Sequence, residues 1–263
     1  MKIISPPHTL LMLGVFAVSV GTLILLIGAM NRANAAGNLT TARHLQWLLL
    51  YVGGLMVVFQ MFFRMEHTWD VYLHHADAYQ WIAAGMPTMF AILWTTSRNR
   101  WSSTITTAIY SVFVIGAILI LPLFHAEPKL GPVYQQVTNF IPPKFPILLI
   151  VPGILMDLLW NRTQSWKPWL VALTTGPMFV LSLVAAEWPF ADFLMTPAAA
   201  NRFFGTTYFA YAEPSTSFDV LRKFVDPETG WTLWSGLLLA MLFASVSTWL
   251  GLKLGRWMRG IQR

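Results

Sequence analysis

Residues 9–30, TLLMLGVFAVSVGTLILLIGAM, run without a single charged side chain. At about 1.5 Å per helical residue, such a run matches the roughly 30 Å hydrocarbon core of a bilayer. Six further apolar runs follow, at residues 45–64, 79–96, 103–124, 145–160, 167–187 and 231–253. Inside lipid a helix satisfies its backbone groups within the segment itself, and runs of this length suit helices rather than strands. The expected fold class is all-α, a polytopic integral membrane helical bundle of about seven transmembrane helices with a long periplasmic segment before the last. Composition agrees, since 56% of the chain is hydrophobic and 11% charged, against about a quarter charged in soluble domains. Soluble enzyme classes are thereby excluded, and no basic cluster with interleaved aromatics points to nucleic acid.

The expected organisation is one transmembrane domain. Residues 1–44 form an amino-terminal extra span and cytoplasmic loop, 45–187 five spans, 188–230 the periplasmic segment, and 231–263 the last span with a basic tail. RANAAG after the first run has the small-residue look of a signal-peptide cleavage site. The run is long for a signal peptide, and Arg32 and Arg43 follow it, so its retention is expected.

Lys and Arg in short loops mark the cytoplasmic side. Arg32, Arg43, Arg98, Arg100, Arg162, Lys167, Lys253, Arg256, Arg259 and Arg263 then fall inside, and every acid except Asp157 falls outside. This orientation puts the amino terminus outside and the carboxyl terminus inside. Tryptophans at or near span ends, including Trp69, Trp81, Trp101, Trp160, Trp166, Trp169, Trp188, Trp231 and Trp257, read as interfacial belts. Proline lies beside glycine at Gly85 to Pro87, at Pro152 and Gly153, and at Gly176 and Pro177, and is expected to bend three spans. A short amphipathic helix is expected around SFDVLRKFV in the segment before the last span. Asp157, near the cytoplasmic end of the fifth run, reads as a structural acid paired close to Arg162.

The most ligand-rich stretch is EHTWDVYLHHAD, residues 66–77, with three of the six histidines and three of the eleven acids. If it continues as helix, His67, Asp70, His74 and Asp77 share one face. Imidazole and carboxylate in that pattern suit copper, zinc or iron, and the chain has no cysteine to offer instead. The candidate metal set is His67, Asp70 and His74, with Glu66 and Asp77 as neighbours. A solvated turn anchored by Trp69, Tyr72, Tyr79 and Trp81, or a surface that docks a partner, fits the same residues. No catalytic side chain stands out otherwise.

The order WDVY, LWTTSRNRW, PPKFPILLIVPGILMDLLW, EWPFADF and WLGLKLGRWM resembles the A subunit of the copper membrane monooxygenases, over roughly residues 45–260. The resemblance implies a membrane subunit of a complex that hydroxylates methane, ammonia or a short hydrocarbon with dioxygen, in a bacterial inner membrane. It implies copper held mainly by a B-type periplasmic cupredoxin-like subunit and a C-type membrane subunit, a trimer of heterotrimers, and quinol as electron donor. A metal cluster proposed within the A subunit of that family uses a Met- and Asp-rich stretch up to the WD pair and a Glu in the third family span. Here Asp70 is kept, Met65 and Glu66 fall only approximately in place, and SVFVIGAIL has no acid. Those departures point to a divergent relative. The readings from other classes are a non-catalytic membrane anchor or assembly subunit of another respiratory complex and, behind it, a small transporter.

Overall fold

The computed structural model describes residues 6–64, 73–126, 139–140, 145–194, 196–199, 201–204 and 227–261. Among these the regular structure is helical, apart from an isolated antiparallel bridge between His125 and Asn139. The helices are α1 (Pro6–Ala35), α2 (Leu39–Phe63), α3 (Ala76–Ala83), α4 (Met86–Ser97), α5 (Ser102–Ile120), α6 (Ile150–Arg162), α7 (Pro168–Leu194) and α8 (Gly230–Arg259). Five segments are long and apolar enough to cross a membrane: Thr9–Ala35, Leu39–Phe63, Ser102–Leu123, Pro168–Leu194 and Gly230–Arg259. They correspond to five of the seven expected spans.

The other two expected spans differ. Residues 79–96 are divided between α3 and α4, and residues 145–160 are helical only from Ile150. Proline explains both. Pro87 sits in the first turn of α4, where its missing N–H is not needed, and Pro152 likewise falls in the first turn of α6. Both prolines therefore start helices rather than bend them. Pro177 is interior to α7 as expected, and so is Pro189.

Breaking helices among apolar neighbours leaves backbone groups that cannot reach water, so side chains of adjacent helices must bond them. At the start of α4, the Thr88 N–H donates to Ser247 Oγ at 3.1 Å, and Thr88 Oγ1 lies 2.8 Å from the Ser247 carbonyl, both on α8. Ahead of α6, Tyr110 Oη donates to Pro146 O at 2.7 Å, Ser111 Oγ to Ile147 O at 3.2 Å, and the Leu148 N–H to Glu187 Oε1 at 2.7 Å. Asp157 serves α5 in the same way. Its carboxylate accepts from the Ser103 N–H at 3.1 Å and from the Thr104 N–H and Oγ1 at 2.7 and 2.8 Å. The expected pairing beside Arg162 is thus replaced by a helix N-terminus, whose unpaired N–H groups and dipole favour an anion.

Asp157 and Glu187 are both fully buried. They link three helices in series: Glu187 of α7 holds the lead-in to α6, and Asp157 of α6 holds the start of α5. Trp160 joins the same seam, its Nε1 donating to Thr175 Oγ1 at 2.9 Å and its ring 5.4 Å from that of Trp94. It is a core residue, not part of the interfacial belt. Trp81, Trp101, Trp166, Trp169, Trp231 and Trp257 do remain exposed, as a belt requires.

The centre of the bundle is α8, packed along α3, α4 and α7. It does so by presenting small residues to the broken helix, with Gly236 against Ala76, Gly251 against Thr88 and Ala91, and Gly255 against Ile92 and Thr95. Ala240 and Ala244 are fully buried along its length. Close backbone approach through small residues four apart substitutes for a hydrophobic drive between helices that lipid does not supply. At its far end, Asn31 of α1 donates to the carbonyls of Arg259 and Ile261 at 3.1 and 2.7 Å. RANAAG closes the last turn of α1 and ends in the turn into α2, where Gly37 takes φ 71° and Asn38 accepts from the Thr41 N–H.

A Cβ on Gly251 would lie 2.5 Å from the Thr88 carbonyl oxygen, a backbone atom that cannot swing aside. Gly251→Leu is therefore expected to cost about 3 kcal/mol in detergent unfolding, whereas Gly116→Leu, at a position with open space around it, stays within about 0.5 kcal/mol. Asp157→Ala strands two buried N–H groups and is expected to cost about as much as Gly251→Leu.

Candidate functional site

Residues 73–75 are not helical, and α3 begins only at Ala76. His75 is extended at φ −123° and ψ 138° and makes no side-chain cap. The cap comes from the other side of the chain: Glu228 Oε2 accepts from the Ala76 N–H at 2.7 Å, while the Glu228 N–H donates to the His74 carbonyl at 3.1 Å. The residues just before α8 thus clamp the start of α3. Tyr79 Oη closes the turn by donating to the Leu73 carbonyl at 2.6 Å.

His74 is fully buried, its Nε2 3.0 Å from Asp192 Oδ1 and its ring centroid 4.8 Å from that of Trp188. Trp188 and Asp192 stand four residues apart on α7, so one helix face presents an aromatic surface and a carboxylate to one imidazole. Asp192 remains largely exposed, with 63% of its side chain in contact with solvent. Beside the pair, Leu73, Ala191, Leu194 and Ala199 form a small separate core, against which Phe190, Phe193 and Phe204 pack. The first residues of the expected periplasmic segment therefore continue α7 and then fold over its end. The amphipathic helix expected around SFDVLRKFV lies outside the described residues.

Burial pushes the His74 imidazole below the ordinary histidine range, opposed by the Asp192 carboxylate and by a hydrogen bond with the Trp188 backbone. His75 is also pushed down by burial, opposed by Glu228 and Asp77. Arg64, the C-cap of α2, packs its guanidinium against Gly85 at the α3–α4 break.

His67 and Asp70 of the candidate metal set, with Glu66, lie outside the described residues. His74 and Asp77 do not share a helical face, because the extended His75 interrupts the register between them. His74 packs on α7, and Asp77 is exposed in the first turn of α3. The structure adds Asp192 and Glu228, neither of which belonged to that set. The available signal was spacing within EWPFADF, which puts Asp192 one helical turn beyond Trp188. Among the described residues no three His, Asp or Glu side chains converge on a point where a metal could sit.

What the fold defines is an all-helical protein of the membrane class, with a buried histidine–carboxylate pair at one end of its bundle. Comparison with protein-family models, with curated proteins and with solved structures returned no match.

A depressed folded-state pKa means the unfolded chain binds the proton more readily, so stability falls as pH falls. The contribution of His74 and His75 is fully present above about pH 6.5 and is lost as pH drops through their lowered folded values. Thermal unfolding between about pH 7.5 and about pH 5.5 is expected to show a falling Tm, with a smaller fall in the His74→Gln/His75→Gln variant.

Proposed function

We propose that this chain is an integral membrane subunit of a copper-dependent monooxygenase complex that hydroxylates a small apolar or ammonia-like substrate with dioxygen. The supporting observation is that four of the five stretches carrying the resemblance contact one another, or residues beside them, across the bundle, WDVY lying outside the described residues. Asp157 and Trp160 of the PPKFPILLIVPGILMDLLW stretch meet residues beside or within LWTTSRNRW, at Thr104 and Trp94. Glu187 of EWPFADF meets Leu148, and Gly255 of WLGLKLGRWM meets Thr95. An ordered set of motifs that forms one contact network behaves as a framework, and a framework is the role the resemblance assigns to this subunit.

Tested against copper, the described residues do not fit by themselves. His74 is engaged by Asp192, and no third ligand converges on it. A carboxylate behind an imidazole does orient metal-bound histidines, so a set built on His74 would need His67, Asp70 or Glu66 to complete it. No chemical step is assigned to this chain. Its part is to hold partner subunits and to offer an apolar route through helices whose outer faces carry Val112, Phe113, Leu119 and Ile120. The seven-crossing topology belongs to the same reading, with α3 and α4 together making the third crossing and the segment leading into α6 completing the fifth.

Affinity purification of the chain from its native membrane is expected to bring down copper, a cupredoxin-like periplasmic subunit and a second polytopic subunit, with oxygenase turnover in the complex and none in the chain alone. Turnover by the isolated chain, or copper-free partners from another respiratory complex, would overturn the proposal; the second outcome selects the anchor reading. Since the chain has no cysteine, orientation can be read from single introduced ones. Asn99→Cys is expected to be shielded from a membrane-impermeant maleimide in intact cells, and Asp77→Cys to be labelled.

A further inference from the structure

At the basic end of the bundle, a cavity of about 150 Å³ opens between the close of α1, the first turns of α2 and the end of α4. Its volume is about ten times the ~10–15 Å³ that one ordered water requires. Met30 and Ala42 contribute apolar lining, while Asn34, Arg43, Gln46 and Arg98 supply the polar part. No acidic side chain is among the residues that line it. Gln46 Nε2 donates to the Ser97 carbonyl, which ties up one of the α4 carbonyls that would otherwise face the space.

The two arginines arrive from different elements. Arg43 stands in the opening turns of α2, and Arg98 caps α4 in the left-handed conformation at φ 59°, the one non-glycine residue with positive φ among the described residues. The two arginines bring two positive charges to the lining, and no carboxylate lines the cavity to neutralise them. Their planar donor sets match the paired oxygens of a phosphate. The N-terminal end of α2 adds its positive dipole from the same side, since Leu39 also lines the cavity. Leu39 lines the cavity and is exposed, and Trp47 and Leu48, next along α2 after the lining residue Gln46, are exposed too, an apolar surface that suits acyl chains.

We propose that this cavity binds a phosphate group between Arg43 and Arg98. Basic pockets between transmembrane helices are a known way of holding anionic headgroups, and a phospholipid phosphodiester would lie here with its chains along α1 and α2. Free inorganic phosphate offers the same chemistry without the tail. The site stands independently of any oxygenase activity.

The test is native mass spectrometry of the full chain in detergent, titrated separately with phosphatidylglycerol and with inorganic phosphate. For wild type, phosphatidylglycerol is expected to be retained, and its apparent Kd to weaken at least tenfold in Arg43→Gln/Arg98→Gln. Arg162→Gln/Lys167→Gln, which removes two exposed charges from the same end, is expected to change it less than twofold. Arg43→Lys/Arg98→Lys, keeping charge but losing the paired donors, should fall between. If the double glutamine variant does not fold by circular dichroism, Arg43→Gln and Arg98→Gln singly give the same reading, each at an exposed position. Retention of inorganic phosphate with no lipid preference supports the site with a free anion as its occupant. Binding of neither probe, or equal loss in the Arg162/Lys167 control, overturns it.

Discussion

Every unusual feature of this bundle follows from one constraint: a backbone polar group among apolar side chains must find a partner within the protein. An unbroken helix meets it at no cost beyond its ends. This chain breaks two of its apolar runs, at Gly85 to Pro87 and ahead of Ile150, and so creates helix termini where water is scarce. Ser247, Tyr110, Ser111 and Glu187 are the answers to those breaks, and Asp157 answers a third terminus at Ser102. The same constraint explains why Asp157 sits fully buried in so uncharged a chain. An isolated buried carboxylate is very costly, whereas one accepting two or three N–H bonds at a helix N-terminus is held by the charge-assisted bonds and the dipole together.

These caps also decide how the helices are arranged. Each is made by a side chain from a neighbour, so a helix cannot start in the right place unless the neighbour is already packed against it. Glu187 couples α7 to α6, Asp157 couples α6 to α5, and Ser247 couples α8 to α4. The small-residue face of α8 then sets the distance of closest approach to the broken helix. The polar bonds act over that short distance, and the small residues are what permit it.

Much of the architecture was legible in the sequence because length and hydropathy report directly on the solvent a segment is built for. The five long apolar helices, the exposure of six of the nine span-end tryptophans and the interior position of Pro177 could all be read in that way. Pro87 and Pro152 were misread for a definite reason. A proline within an apolar run bends a helix if a turn precedes it and starts one if none does, and the run alone does not distinguish the two. Asp157 was recognised as structural, but its partner lies more than fifty residues earlier in the chain, beyond any local pattern. Near EHTWDVYLHHAD, an assumed helical register put His74 and Asp77 on one face. The extended His75 and the clamp from Glu228 prevent it, and that clamp is a contact across 152 positions.

The residues that make the motif order distinctive have structural tasks. Asp157 caps α5, Trp160 bonds Thr175, Glu187 holds the approach to α6, Gly251 and Gly255 let α8 lie against α4, and Trp188 covers His74. A resemblance carried by such positions is first a statement about architecture, because a bundle with these breaks must place an acceptor, a small residue or a flat ring at these points whatever it does. Chemistry in a chain of this kind belongs at sites the architecture leaves open to partners and ligands. Among the described residues those are the buried His74 beside the exposed Asp192 at one end, and the arginine-lined cavity at the other. The first places a titratable group next to a carboxylate that solvent can reach, and the second places two fixed positive charges beside an apolar surface. The two ends of the bundle therefore differ in kind, one presenting an imidazole beside an exposed carboxylate and the other two arginines with no acid among the lining residues.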